Sequence, residues 1–292
     1  MRAHGRWGML FVSPWVLGFL VFTAGPMLTS LFLSFYVYDL HRLEYVGGEN
    51  YRRLFTVDPV FLKSLRVTLI YAGLSVPLGV AASLGLAVLL NQKVRGQRLF
   101  RTLFYLPSLV PSIASAIVWG WMLNTDNGAL NGFLGVFGVP PIAWLQDERY
   151  TLVAFVLLSL WGAGGGRMVI FLAGLQGVPE SLLEAATLDG ASPGRRFRSI
   201  TLPLLSPVLF FNVVMGVIGA FQVFTSAYAM TGGGPNNASR FYALYLFQTA
   251  FEQFKLGKAS AMAWVLFAIL MVVTAVQFYG ARRWVHYEGA SS

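Results

Sequence analysis

A chain of 292 residues that is 56% hydrophobic and 11% charged, against roughly 25% charged in soluble domains, excludes a water-soluble globular fold. Its net charge of +9 at pH 7 suits anionic lipid or acidic partner surfaces and gives no reason to invoke nucleic acid. It has no cysteine, which excludes disulfides, thiol nucleophiles and thiolate metal sites.

Uncharged apolar runs long enough to cross a bilayer recur along the chain, so the expected fold class is an all-α integral membrane protein with six transmembrane helices. The first run, residues 7–38, follows Arg2, His4 and Arg6 as a secretory signal would. It is too long for a signal core and lacks a small-residue cleavage site, so it is expected to be a retained span. The second span is expected within 67–92 and the third within 102–125. The fourth is expected over about 150–175, interrupted by Arg167. The fifth begins near Leu204 and ends before TGGGPNNAS (231–239), whose Gly, Pro and Asn signal irregular chain. The sixth lies between Lys258 and Arg282. Six spans place both termini on one side. With that side inside, inner segments carry eleven Lys and Arg against nine outside, a small positive-inside bias strengthened by the tight Lys93 to Arg101 cluster.

Several chemistries drop out. His4, His41 and His286 all lie outside the spans, so an intramembrane serine nucleophile has no histidine base. No GxxxxGK[ST] loop occurs; LGKAS (256–260) has Glu252 where the first glycine is required. The chain is therefore not expected to be an enzyme with its own ATPase site. No Asp or Glu falls inside these six runs, which argues against a proton-driven carrier. The only ionisable residue deep in a span is Arg167, and arginine does not release its proton at accessible pH.

The charged stretch EAATLDGASPGRRFRSITLP (184–203) stands out in so apolar a chain. Upstream, Pro179 fits the first position of a helix and Glu180 its first turn. Gly190 fits the left-handed residue past a helix end. Ser192-Pro193 restarts the chain with a cap and first-turn proline, and Pro203 is expected to close the second short helix. Such a helix, glycine turn and helix fits docking on a soluble partner and fits equally an amphipathic helix lying on the bilayer.

The residues Glu184-Ala185-Ala186, Asp189-Gly190-Ala191, Phe197 and Ile200-Thr201-Leu202-Pro203 resemble the EAA motif of ABC importer permeases. In that family the motif forms a coupling helix seated in a cleft of the cytoplasmic ATPase subunit. Further segments resemble the carbohydrate-uptake branch, of the maltose and glycerol-3-phosphate importer type: GGENYRRLF (47–55), RTLFYLPSLVPSIASAIVWGWMLNTDNGALN (101–131), FLAGLQGVPESLLEAA (171–186), TGGGP (231–235) and AF…GKASAMAWVLF (250–267). One departure is Val67, where many relatives carry Asn.

The resemblance implies the ABC type I importer permease fold. It implies an N-terminal helix and extracellular segment (1–64), a five-helix core with the EAA loop at 177–203 (65–282), and a cytoplasmic tail (283–292). It implies a permease subunit of an ATP-driven sugar importer in the plasma membrane, with both termini cytoplasmic and half of the translocation pathway formed by this chain. The implied partners are a second permease subunit, two ATPase subunits, an extracellular solute-binding protein, the sugar and the lipid membrane. No cofactor is expected in this chain; ATP and Mg would be bound by the partner ATPase. Glu184, Ala185, Ala186, Asp189, Gly190 and Arg198 would then be ATPase-coupling residues. A stand-alone secondary transporter or channel is the alternative.

Substrate contacts are expected in the spans. Asn212, Met215, Gly219, Gln222 and Ser226 repeat at spacings of three and four, which places them on one face of a continuous helix, with Phe221 and Phe224 beside it. Such a stripe suits sugar hydroxyls and ring faces, and suits helix packing equally. Arg167, preceded by Gly162, Gly164, Gly165 and Gly166, lies 12 residues before Pro179, or about 18 Å of helix. That is too far for easy snorkelling. It is expected to line the pathway and meet substrate hydroxyls or an anionic group.

Overall fold

The computed structural model describes residues 2–39, 42–92 and 95–285, with side chains from Phe11 onward. The side chain of His4, together with His41, Lys93 and residues 286–292 of the expected tail, lies outside the described residues. Three helices are each long and apolar enough to cross a bilayer: Phe11–Leu33, Pro59–Asn91 and Leu256–Ala281. Three further crossings are bent pairs, Gln97–Leu109 with Ser112–Met122, Glu148–Gly164 with Gly166–Gln176, and Pro193–Leu204 with Ser206–Phe221. Counted as one span each, these complete the expected six.

The bends have identifiable causes. The third span, expected as one helix over 102–125, turns through 96°. Pro111 has no N–H to continue the ladder, and the residue before it, Val110, is extended at ψ 130°. The fourth bends by 45° at Gly165, inside the glycine run. The fifth bends by 67° at Leu205, between Pro203 and Pro207. Pro203 does not close the preceding helix as expected; the chain stays helical to Leu204. The wide π turn Phe197–Thr201 just ahead of it leaves room for the proline ring.

Contact density divides the chain into two units. The first comprises Met1–Leu62 with Tyr245–Ile269. Its first span ends at Leu33, short of the expected residue 38, because Tyr36–Asp39 (β1) turns back as an antiparallel hairpin on Arg42–Tyr45 (β2), pairing Tyr36 with Tyr45 and Asp39 with Arg42. Aromatic and β-branched residues at 36–38 favour that extended state. A helix Glu49–Thr56 follows, and its NY pair ties it down. Asn50 Nδ2 donates to Ser34 O and Tyr36 O, both at 2.8 Å, and Tyr51 Oη donates to Ser34 Oγ at 2.7 Å. Gly257 lies directly against this chain: a Cβ there would fall on the Tyr36 carbonyl.

Asp58 caps the second span, its Oδ1 accepting from the N–H groups of Val60 and Phe61 at 3.0 and 3.1 Å. Its Oδ2 meets Lys258 Nζ at 2.6 Å and accepts from Tyr245 Oη at 2.7 Å. Burial disfavours the ionised carboxylate, but the hydrogen bonds from Lys258, Tyr245 and the Phe61 N–H outweigh it and the Asp58 pKa is lowered. On the surface helix, hydrogen bonds from Arg52 and Arg53, each at 2.7 Å, pull the Glu49 carboxyl down to about 2.

The second unit comprises Lys63–Leu244 with Leu270–Ser292. Phe241 is its aromatic centre, edge-on to Tyr71 of the second span at 5.0 Å and to Phe155 of the fourth at 5.3 Å. In lipid, burial of an apolar ring gains little from water exclusion, so close packing and ring geometry of this kind carry the association. The next backbone amide, Tyr242 N–H, donates to Thr68 Oγ1 at 2.9 Å.

Candidate functional site

The fourth span is built to break. Helix Glu148–Trp161 passes into a 3-10 turn at Gly162–Gly164 and restarts as Gly166–Gln176. The glycines allow the third span to approach backbone to backbone: a Cβ on Gly164 would strike the Phe104 carbonyl, and one on Gly165 would lie 2.7 Å from Ser108 Cβ. Ser83 Oγ donates to Ala163 O at 2.8 Å, satisfying a carbonyl exposed by the break.

Arg167 stands in the first turn of the restarted helix. Its guanidinium occupies a slot between Gly79 of the second span and Gly216 of the fifth. A Cβ on Gly79 would lie 3.0 Å from Nη1, and one on Gly216 would lie 3.3 Å from Nη2. From there it lines a cavity of about 360 Å³ with Tyr71, Ser75, Ser108, Ser159 and Gly219. A second cavity of about 350 Å³, lined by Gln222, Phe224 and Ser226, adjoins it through shared Tyr71, Ser159 and Val223.

The expected stripe on the fifth helix does not survive as one face. The helix ends at Phe221, Gln222 is its C-cap, and a separate helix runs over Thr225–Met230. Phe224 causes the offset, with φ −135° and ψ −63° outside the helical region. Asn212 is buried with its Nδ2 donated to Val208 O of its own helix at 2.9 Å, and Phe221 is packed in the interior. Neither lines either of these two cavities, and Met215 is half exposed. Gly219 alone of the stripe reaches the Arg167 cavity; Gln222 and Ser226 reach its neighbour. Sequence reasoning missed Tyr71 and Ser75, although Tyr71, Ser75 and Gly79 recur every fourth residue on the second span and so share a face.

Residues 177–203 form the expected helix, turn and helix. Pro179 is the N-cap of Glu180–Leu188, one position earlier than expected. Gly190 has φ +77°. Its N–H donates to Thr187 O at 3.0 Å and the Ala191 N–H donates to Ala186 O at 2.9 Å, the paired bonds of a Schellman turn. Ser192 Oγ caps the second helix by accepting from Arg195 N–H at 3.4 Å. An Arg196 Nη1 bond to Thr187 Oγ1 ties the two helices together. Glu184, Ala185, Asp189, Gly190 and Arg198 are exposed and Ala186 is partly so. Leu188, 89% exposed, presents bare apolar surface at the turn.

Both arms of this loop lead to the cavity. The incoming arm is Gly166–Gln176, which carries Arg167; the outgoing arm passes the Leu205 bend into Ser206–Phe221, which carries Gly216 and Gly219. The arms touch at Gly174, where a Cβ would lie 2.8 Å from Leu205 Cδ2 and 3.1 Å from Val208 Cγ2.

Residues 75–286 match the family model described as "Binding-protein-dependent transport system inner membrane component". The chain belongs to this permease family. It is 46% identical to "Probable ABC transporter permease protein YesP" of Bacillus subtilis (strain 168), over 99% of this chain and 94% of the relative. It is 34% identical to "Lactose transport system permease protein LacF" of Rhizobium radiobacter, over 94% of each chain. The fold matches, with a TM-score of 0.84 at 20% identity and over 97% of this chain and 96% of the other, a chain in the crystal structure of a bacterial ABC transporter involved in the import of the acidic polysaccharide alginate.

The permease's remaining family-like segments have structural jobs. In the loop after the third span, Asn131 is a buried hub: its Nδ2 donates to Thr125 O and Ile142 O at 3.0 and 2.8 Å, and its Oδ1 accepts from Trp144 Nε1 at 2.8 Å. In the TGGGP loop, Thr231 Oγ1 and Ser239 Oγ lie 2.6 Å apart. Asn236 Nδ2 donates to Glu148 Oε1 at 2.6 Å, and the Asn236 carbonyl accepts from Lys63 Nζ.

Proposed function

We propose that this permease forms half of the translocation pathway of an ATP-driven sugar importer, and that residues 177–203 couple it to a separate cytoplasmic ATPase subunit. The observation that carries the reading is mechanical. One exposed, hydrogen-bonded elbow joins the two helices that place Arg167, Gly216 and Gly219 around a single cavity. A partner that displaces the elbow displaces opposite walls of that cavity together. Alternating access needs that linkage, and the absence of a P-loop in this chain assigns ATP and Mg to the partner.

In this arrangement Glu184, Ala185 and Ala186 form the seated face of the first helix. Gly190 sets the angle between the helices, and Asp189 and Arg198 are polar contacts with the ATPase. The elbow and both termini are cytoplasmic. The hairpin, the Asn131 loop and the TGGGP loop then lie outside, where a solute-binding protein delivers substrate to this chain and a second permease. Sugar as the cargo draws support from the lactose named for the relative from Rhizobium radiobacter and from the hydroxyl-lined cavities. Co-purification tests the assembly. The chain is expected to isolate with an ATPase, and Glu184→Lys to abolish sugar-stimulated ATP hydrolysis while membrane insertion persists. Transport by this chain alone in liposomes would overturn the reading in favour of a stand-alone carrier.

A further inference from the structure

Among the described residues Arg167 has no acidic counterpart. The only carboxylate within the span bounds is Glu148, at the far end of the same broken span, where Asn236 and Lys63 engage it. Among the described residues no ion pair includes Arg167. An intramembrane charge left unpaired is costly and is retained where it faces a water-filled path or a ligand. The helix it belongs to adds to the charge: Arg167 is the second residue of the 11-residue helix Gly166–Gln176, whose amino end is itself positive. A cation is ordinarily favoured at the other end of a helix.

The surroundings hold this charge in place without neutralising it. Gly79 and Gly216 leave space for the flat guanidinium and supply no acceptor side chain. The polar side chains that share its cavity carry hydroxyls, those of Tyr71, Ser75, Ser108 and Ser159. A planar fork of donors beside hydroxyls matches a carboxylate carried on a hydroxylated ring. At about 360 Å³ the cavity is within the range of small-molecule sites. We infer that the Arg167 cavity is an acidic-sugar site, in which the guanidinium takes the carboxylate of a uronic acid residue while the hydroxyl groups of Tyr71, Ser75, Ser108 and Ser159 take ring hydroxyls.

This rests on the sugar-importer reading and narrows its cargo to glycans bearing an anionic group. The test uses the complete importer in nanodiscs of zwitterionic lipid, with two probes that differ in one group: cellobiose and its uronic-acid counterpart, cellobiouronic acid. Binding is followed by tryptophan fluorescence, since Trp161 lines the adjoining cavity. The uronate probe is expected to bind at least tenfold more tightly than cellobiose, and the margin to shrink at high salt. Arg167→Gln is expected to erase the margin by weakening uronate binding at least tenfold. Arg167→Lys, which keeps the charge and loses the fork, is expected to retain part of it and guards against a variant that only misfolds.

Equal binding of the two probes by the unmodified importer, no binding of either, or a margin that survives Arg167→Gln would each overturn the inference. A margin abolished by adding phosphatidylglycerol to the nanodiscs would make this a lipid headgroup site and overturn it too. Failure of the wider reading looks different: no ATPase would co-purify, or Glu184→Lys would leave sugar-stimulated hydrolysis unchanged.

Discussion

At single residues, the permease spends its few polar side chains on backbone groups that the loops leave open. Asn131 satisfies two carbonyls, the Ile142 N–H and the Trp144 indole at once, so truncation strands three part-buried partners and one buried one. An unsatisfied buried group costs about 1–3 kcal/mol. Asn131→Ala is therefore expected to destabilise the second unit by about 3 kcal/mol, read as a lower midpoint of thermal unfolding in detergent. Asn131→Asp keeps the acceptor for Trp144 and loses the two donors, and should fall between. The sequence shows Asn131 only as part of a family-like run, NTDNGALN, because its partners lie up to 13 residues away and no local periodicity marks a side chain that bonds to irregular chain. Arg167 was legible for the opposite reason. A charge and four glycines inside an apolar run conflict with every local expectation for a span.

At the level of elements, what could be read depended on whether a break carries a chemical marker. The glycines before Arg167, and Gly190 with Ser192-Pro193, announce their breaks or turns; Pro111 marks one as well, although the sequence expectation for the third span is one helix over 102–125. Nothing comparable announces the end of the fifth helix at Phe221, where Gln222, Val223 and Phe224 contain neither Gly nor Pro. A spacing argument that assumed a continuous helix therefore ran Asn212, Met215, Gly219, Gln222 and Ser226 together as one face with Phe221 and Phe224 beside it, whereas Asn212 and Phe221 pack in the interior. The loop elbow gives an element-scale prediction. Gly190 has φ +77°, where a Cβ costs about 1–2 kcal/mol, so Gly190→Val is expected to loosen the Schellman turn. Sugar-stimulated ATP hydrolysis should drop several-fold in the assembled importer, while the permease keeps its thermal midpoint, because the exposed elbow contributes little to the packed interior. The Asp58 cap supplies a second. Its folded pKa is below the unfolded value near 3.8, so the stability it contributes is complete above about pH 4 and is lost as pH falls through the lower folded value. Asp58→Asn is expected to cost about 2 kcal/mol, less than the 3–5 kcal/mol of a fully buried pair, since Lys258 is 26% exposed. The same change is expected to remove part of the stability loss that melts record as pH falls below about 4.

Over the whole molecule, the question is how work done on an exposed loop reaches a cavity inside the bilayer. The elbow is held by two backbone bonds and the Arg196 to Thr187 bond, so it moves as a piece. It continues into the helices bearing Arg167 on one arm and Gly216 on the other, and the arms are in contact at Gly174, Leu205 and Val208. In the proposed coupling that contact would serve as a pivot, and a rotation of the elbow about it would change the slot that holds the guanidinium. Gly174→Leu would push the arms apart at the pivot, since even a Cβ there lies 2.8 Å from Leu205 Cδ2 and close-packed helices resist overpacking by about 1–3 kcal/mol. The expected outcome is uncoupling. The ATPase should still co-purify and hydrolyse ATP at its basal rate, because the seated face of the elbow is untouched, yet sugar should no longer accelerate hydrolysis and uptake into proteoliposomes should fall at least tenfold. Gly174→Ala adds only the Cβ and should give a partial loss. If Gly174→Leu transports normally, the arms move independently, and the coupling route must run through another contact of the fifth span.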